Sequence, residues 1–263
     1  AVEHKLPGVE PGQEKSFDFA RAYGDLSDEN MAKCCGIRNW WGQRWFSPSV
    51  EQEPGKALYP FLMKPDKPIS LEDIMAFFRS ESYTYEGEFD FEGYRVVSRN
   101  SNMEAHIFEM RETESMPWQI GVVMWLALGP ARESVYLPFH GALQASPEGY
   151  TEGTDVYDSR SASWAFRSPS ALVRHNPEWR KKLQHFWIEY QKDLVAQEKD
   201  AVAKALSYWN EGDQEKAVTW LSEQDVMMAE KAVEVARTLE AQLITALAME
   251  DEEAFDPKVE DFR

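Results

Sequence analysis

The chain has 263 residues, of which 43% are hydrophobic and 13% aromatic, enough apolar material for a large folded core. Its 46 acidic residues outnumber its 28 basic ones and give a formal charge of −18 at pH 7. Such a charge repels phosphate groups, so we expect neither nucleic acid nor an anionic membrane as a partner. The sequence contains no apolar stretch of about 20 residues and no secretory h-region, which favours the cytoplasm, although a leader could precede Ala1.

The first part of the chain is rich in proline and aromatic residues. Residues 1–16 predict an extended surface segment, and residues 17–23 predict a short helix. Residues 34–46, CCGIRNWWGQRWF, bring two cysteines, three tryptophans and two arginines into a short stretch. Residues 70–79 then predict a helix, because a capping serine precedes an apolar stripe at helical spacing.

Three strands are predicted in the middle of the chain. The central run, 119–128, is apolar almost without interruption and is bounded by Pro117 and Gly129. It is too short to cross a membrane and too continuous for a strand with one wet face, so we expect it to be buried on both faces. The segments 105–110 and 134–139 are rich in β-branched and aromatic residues. Short connections predict that the three are adjacent antiparallel strands of one sheet.

The last third of the chain predicts two long helices. The motif Asn-Pro-Glu at 176–178 combines a cap, a first-position proline and an acidic first turn. The sequence NEGD at 210–213 ends the first helix, and a second helix follows with a predicted break near 222–225. The short turn favours an antiparallel helical hairpin over 176–249. Residues 250–263 are acidic and are predicted to form a solvated tail.

Three long phrases of the sequence resemble one enzyme family. They are YPFLMKPDKPISLEDIMAFFRS, MPWQIGVVMWLALGPARESVYLPFHGAL and PEGYTEGTDVYDSRSASWAFRSPSALVRHNPEW, in that order. They are similar to phrases of the N-terminal-cysteine dipeptidases of the dipeptidase A type, which are N-terminal-nucleophile hydrolases. The resemblance implies an α+β fold, a four-layer αββα sandwich, with residues 1–175 supplying its strands and helices ahead of the hairpin. Residues 1–263 would then be one domain, or the C-terminal portion of one.

The resemblance also implies a mechanism for which this chain lacks the central group. In the family, the nucleophile is the thiol of a cysteine at the mature N-terminus, and its own amine acts as the base. Ala1 carries no nucleophile, so the resemblance places that cysteine upstream of Ala1. The chain is then the C-terminal portion of a cysteine dipeptidase that hydrolyses short peptides through an acyl-enzyme, without a cofactor. It should be inactive without the upstream segment, its expected partner.

Two other functions and one other assembly stay open. An amidase of the same superfamily would act on non-peptide acyl amides. A non-catalytic interaction module would have kept the fold and lost the nucleophile. Self-association into a homo-oligomer is also compatible with the sequence. The residue that precedes this chain in the complete gene product discriminates between enzyme and module.

Five polar and aromatic residues are candidates for substrate binding. Arg38 and Arg44 lie beside Trp40, and guanidinium groups among aromatic rings suit a pocket for a substrate carboxylate. The alternative for these arginines is a structural cation–π contact with tryptophan. Asn100 and Asn102 could donate hydrogen bonds to a substrate carbonyl, although serine and asparagine clusters are also common in turns.

Histidines and cysteines offer fewer candidates. His140 follows a predicted strand and is a sixth substrate-binding candidate that could face a cleft, whereas His106 is expected to be a core histidine within a strand. No histidine pair has metal-ligand spacing, so no metal is expected. Cys34 and Cys35 are adjacent and cannot form an unstrained disulfide, and we expect them to pack as small core residues.

Overall fold

The structure is a computed structural model of the chain. It describes residues 31–111, 116–153, 155–251 and 253–263. The segments predicted at 1–16 and 17–23 lie outside the described residues. None of the helices in these ranges combines the length and apolar character needed to cross a membrane.

One of two compact units contains residues 31–70 and Ser80–Val97. A π-helical turn, Ala32–Gly36, leads directly into helix α1, Ile37–Phe46. The junction requires glycine, because a β-carbon at Gly36 would lie 2.0 Å from the carbonyl oxygen of Lys56.

Aromatic side chains form the centre of this unit. Trp40 is fully buried, and its ring centroid lies 5.8 Å from those of Trp41 and Phe91 and 6.1 Å from that of Tyr83. Its indole N–H donates to the carbonyl oxygen of Gln52 at 3.0 Å. The tryptophan-rich segment therefore contributes mainly to packing in this unit.

The other unit, Leu71–Arg79 with Ser98–Arg263, contains the sheet. Helix α2 is Leu71–Arg79, as predicted, and the strands are β1, Glu104–Met110, β2, Val122–Leu128, and β3, Leu137–His140. The strands are antiparallel in the order β1-β2-β3. The predicted adjacency is confirmed, and β2 is central.

The strand ends differ from the sequence prediction for two local reasons. Residues Trp118–Gly121 form a helical turn, α3, whose amides at Ile120 and Gly121 donate to the Pro117 carbonyl oxygen. Strand β2 therefore begins at Val122. Strand β3 begins at Leu137 because Tyr136 pairs its backbone N–H and C=O with the side-chain amide of Gln191, at 2.7 and 2.9 Å.

The sheet lies between two apolar clusters. Because side chains alternate along a strand, Val123, Trp125 and Ala127 project to one face and pack with Met75 of α2. The residues between them project to the other face and pack against a larger helical cluster, while remaining partly exposed. Burial of β2 on two faces is thus confirmed, with one face covered more completely than the other.

Helices supply the second layer of this unit. They are α4, Ala162–Leu172, α5, Pro177–Asn210, and α6, Gln214–Met249. The Asn176 side chain accepts hydrogen bonds from the amides of Glu178 and Trp179, both at 3.1 Å, which confirms the predicted helix start. Helices α5 and α6 pack together as the predicted hairpin. The predicted break near 222–225 is wrong, because α6 runs through it without interruption.

The C-terminal residues are not a solvated tail, so that prediction is also wrong. Phe255 and Val259 are buried in the helical cluster, and a 3₁₀ turn follows at Val259–Phe262. Lys182 donates to the Phe255 carbonyl oxygen at 2.8 Å, and Arg263 pairs with a carboxylate of α5. Apolar residues among the acidic ones hold this segment against the helices.

Candidate functional site

A buried ionic cluster lies at the end of the sheet where β3 finishes. The His140 backbone N–H donates to Asp225 Oδ2 at 2.7 Å, and its Nδ1 lies 2.8 Å from Asp225 Oδ1. Its Nε2 lies 3.1 Å from Glu198 Oε1, which also accepts from Arg111 Nη1 at 2.7 Å. The side chains of His140, Glu198 and Asp225 are at most 1% exposed. The cluster therefore joins β3 to both long helices.

The cluster favours the charged form of the histidine. Burial alone would lower the pKa of His140, but hydrogen bonds and charge from Asp225 and Glu198 outweigh burial and raise it. For Glu198, burial opposes ionisation, yet contacts with His140 and Arg111 lower the net pKa. Among the described residues, Glu198 Oε2 has no hydrogen-bond partner.

In the described residues, His140 makes structural contacts. Both ring nitrogens face carboxylates and the side chain is fully enclosed, so the ring cannot take a proton from a substrate while these contacts last. The expectation that His140 faces a cleft is wrong, since α5 and α6 cover the strand end.

A second buried ionic cluster lies at the opposite end of the sheet. Glu133 accepts from Arg132 at 2.9 Å, from Arg180 at 2.6 Å, and from the Ser170 hydroxyl. Burial would raise the pKa of Glu133, but the Ser170 hydrogen bond and the positive charge of Arg132 lower it overall. Glu133 is thus held as a carboxylate within the protein.

The two asparagine candidates lie next to this cluster. Asn100 Oδ1 accepts from the Arg132 guanidinium, which also donates to the Ser98 carbonyl oxygen. Asn102 closes a local turn, in which its Oδ1 accepts from the Arg99 amide at 3.1 Å. Arg132 therefore fixes the approach to β1, and it contacts the predicted residue Asn100 directly.

The arginine candidates of the aromatic unit contact nearby backbone. Arg38 Nε donates to the Cys34 carbonyl oxygen at 2.5 Å, and Arg44 Nη1 lies 3.4 Å from the Pro48 carbonyl oxygen. Arg38, Trp40 and Arg44 belong to this unit, whereas Asn100, Asn102 and His140 belong to the sheet unit. A substrate-binding role for any of the six stays a prediction.

The two cysteines are reduced and partly buried. The Sγ atoms of Cys34 and Cys35 are 3.5 Å apart, and Arg38 Nη2 lies 4.0 Å from Cys35 Sγ. The hydrogen bond from Cys35 raises the pKa of the Cys34 thiol, with burial adding to the effect. A raised pKa disfavours the thiolate that a cysteine nucleophile requires.

His106 is not a core histidine, so that expectation is wrong. Its side chain is 47% exposed, and its Nδ1 lies 3.1 Å from Glu104 Oε1. The predicted strand is confirmed as β1. Because β1 is at an edge of the sheet, however, one of its faces is open. Alternation alone does not say which strand is at the edge.

Glu198 and Asp225 were not among the predicted residues, although the sequence contains a signal for them. Glu198 follows Leu194 by four residues on the buried stripe of α5, and Asp225 follows Leu221 by four on that of α6. A carboxylate at such a position needs a buried partner. Arg132 and Glu133 gave no comparable signal, because they lie in a short turn. Within the described ranges, no group of three or more histidine, cysteine or acidic side chains is arranged to hold a metal ion.

Comparison with known proteins connects this architecture to peptide hydrolysis. The sequence pattern of peptidase family C69 matches residues 3–192, well over half of the chain. The chain belongs to peptidase family C69. This membership confirms the resemblance to dipeptidases found in the three long phrases.

Curated relatives carry dipeptidase names. The chain is 27% identical over 244 residues to "Probable dipeptidase" of Latilactobacillus sakei, covering 88% of this chain and 49% of the relative. It is 26% identical over 254 residues to "Probable dipeptidase B" of Streptococcus pyogenes serotype M1, covering 87% and 48%. "Dipeptidase A" of Lactobacillus helveticus matches at 28% identity over 137 residues, 48% of this chain and 28% of the relative. The chain spans about half the length of the first two.

Proposed function

We propose that this chain is the C-terminal portion of a cysteine-dependent dipeptidase that hydrolyses short, unblocked peptides. Membership of peptidase family C69 over residues 3–192 is the observation that carries the proposal. The nucleophilic thiol comes from a segment upstream of Ala1, and hydrolysis proceeds through an acyl-enzyme intermediate. The upstream segment completes a four-layer αββα sandwich to which the present sheet contributes.

The contacts of the buried polar groups and of Cys34 support a division of roles between this chain and the upstream segment. His140 is enclosed by two carboxylates, and Glu133 is held by two arginines and a serine. The partly buried Cys34 has a raised pKa. None of these groups is poised as a nucleophile paired with a free base. We therefore assign the reacting thiol to a segment outside this chain.

Arg38 is our proposed ligand for the substrate carboxylate. Arg38 is a partly buried residue of the tryptophan-rich helix α1, and its guanidinium can form a charge-assisted hydrogen bond with a carboxylate. In the complete enzyme, Arg38→Ala should lower kcat/KM by roughly 10–1000-fold, the cost of losing such a bond. Normal kinetics combined with a lower unfolding temperature would return Arg38 to a purely structural role.

The activity assay compares two forms of the protein. The complete gene product should hydrolyse an unblocked dipeptide, and the chain of residues 1–263 should not. Treatment with iodoacetamide should abolish turnover by the complete protein, because alkylation blocks the nucleophilic thiol. Full activity after alkylation would contradict the cysteine mechanism. Turnover of acyl amides but not of dipeptides would favour the amidase alternative, and absence of turnover would favour an interaction module.

A further inference from the structure

Strand β1 presents an apolar face to solvent. Along the strand, exposed side chains alternate with more buried ones, and Ile107 is only 7% exposed. The open face carries the even-numbered residues, of which Phe108 is 62% exposed and Met110 is 80% exposed, and Glu104 and His106 complete it. Two adjacent large apolar side chains on the open face of an edge strand mark a surface where a further strand can pack.

The backbone of β1 also has free hydrogen-bonding positions. At its two ends, the Met103 carbonyl oxygen accepts from Gly129 N at 2.7 Å, and Arg111 N donates to the Gly121 carbonyl oxygen at 2.9 Å. Antiparallel pairing alternates along a strand, so the odd-numbered residues of β1 bond to β2 and the even-numbered ones point away. The outward groups thus belong to residues 104, 106, 108 and 110.

The helices that pack against β2 do not cover the open face of β1. Met124 and Leu126 lie directly opposite Phe108 and His106, and both pack against the helical cluster. Their neighbours on β1 remain exposed. Among the residues that the structure describes, no strand pairs with the outer side of β1. We call Glu104, His106, Phe108 and Met110, with their outward backbone groups, the β1 surface.

We propose that the β1 surface is the docking site for an extended segment of the dipeptidase portion that this chain does not contain. This proposal rests on the proposed function. The segment adds a strand to the sheet through the outward backbone groups of β1, and its apolar side chains cover Phe108 and Met110.

Chain length and charge favour this occupant over a second copy. The curated relatives have about as much additional sequence as the part this chain matches, since the matched share is 48–49%. That length is sufficient to supply further strands. Two copies of this chain would each bring a formal charge of −18, and pairing of their β1 strands would have to overcome this repulsion.

The test places two charges on the β1 surface and measures unfolding temperature in two forms of the protein. In the chain of residues 1–263, Phe108→Lys with Met110→Lys should change Tm by less than about 2 °C, because both positions are exposed. In the complete gene product the same pair should lower Tm by roughly 5–10 °C, because the lysines would be buried. The control pair Ile244→Lys with Met249→Lys, exposed on α6, should have little effect in either form.

A second measurement covers the case in which the doubly substituted complete protein does not fold. Hydrogen exchange of the unsubstituted protein should show the amides of His106 and Phe108 protected in the complete form and unprotected in the chain of residues 1–263. Equal, rapid exchange in both forms would overturn the proposal. So would protection in the shorter chain accompanied by a dimeric mass, since a second copy would then be the occupant.

Failure of the docking proposal can be separated from failure of the proposed function. Protection at β1 in a complete protein without thiol-dependent turnover would support docking and reject the dipeptidase activity. Thiol-dependent turnover with an unprotected β1 would reject docking and retain the activity. A complete gene product with no sequence beyond residues 1–263 would remove the occupant and overturn the docking proposal.

Discussion

The two edges of the sheet are built in opposite ways. At the β3 edge, outward backbone groups find partners within the chain: Tyr136 pairs with the Gln191 side chain, and the His140 N–H donates to Asp225. Pro138, between them, has no N–H to offer. At the β1 edge, the outward groups of residues 104, 106, 108 and 110 have no strand partner among the described residues, and Phe108 and Met110 are exposed.

We infer from this difference that the β1 edge, rather than the β3 edge, accepts the proposed partner strand. Buried charges at the β3 edge are tolerated because each is paired, and they fix the helices against the strand. Strand β1 contains neither a proline nor a bulge, and its charged Glu104 lies at one end, away from Phe108 and Met110. We therefore regard the β3 edge as complete within the chain and the β1 edge as an interface.

The largest effect is expected from removing a buried carboxylate at the β3 edge. Asp225→Ala should lower the free energy of unfolding by about 3–5 kcal/mol, because it leaves the His140 amide and ring without their buried partner. Glu234→Ala, at an exposed position of the same helix, should change it by less than about 0.5 kcal/mol. Urea unfolding followed by tryptophan fluorescence measures both. Similar values for the two variants would remove the structural role of the cluster.

A neighbouring pair of residues distinguishes the two faces of β1. Ile107→Ala should cost about 2–4 kcal/mol in the chain of residues 1–263, because Ile107 packs in the core beside Trp125. Phe108→Ala should cost less than about 1 kcal/mol there, because the ring is mostly exposed. The same urea titration applies. A larger loss for Phe108 than for Ile107 would show that the open face is covered within this chain.

The smallest effect is expected from a change of pH, and it again concerns the β3 edge. The His140 pKa is raised above the ordinary value of 6.5, so its stabilising contribution is complete below that pH. The contribution is lost as the pH rises through the folded-state pKa. Glu198, Asp225 and Arg111 are the charged groups that contact the cluster, and Glu109 pairs with Arg111. Unfolding measured from pH 6 upward should show this loss, and His140→Gln should reduce it. An unchanged profile in the variant would assign the dependence to other groups.

Local sequence signals predicted the helices and strands. The exposure of individual side chains depended on how those helices and strands pack together. The Asn176 cap and the apolar run of β2 gave the helix start and the central strand, because capping and hydrophobic pattern act over a few residues. The expected burial of His106 and the expected exposure of His140 were both wrong. Their exposure depends on which strand lies at an open edge and which is covered by helices. Asp225 could have been recognised from its position on an apolar stripe.

The candidate site was less predictable than the fold. Arg132 occupies a short turn, and its contact with Asn100 joins residues far apart in sequence, which no periodic pattern reveals. The neighbouring tryptophans indicated Arg38 as a ligand for a substrate carboxylate, yet Trp40 packs mainly with other aromatic rings. Composition identifies residues that suit a carboxylate, whereas their availability depends on the contacts that each one makes in the fold.

Residue-resolved hydrogen exchange of the chain of residues 1–263 tests the contrast between the edges most directly. We expect slow exchange for the His140 and Tyr136 amides, which donate to Asp225 and Gln191, and for Ile107, whose amide faces β2. We expect rapid exchange for the His106 and Phe108 amides, which point outward from β1. Comparable protection at both edges in this chain would contradict the account, because the β1 edge would then be closed without any partner.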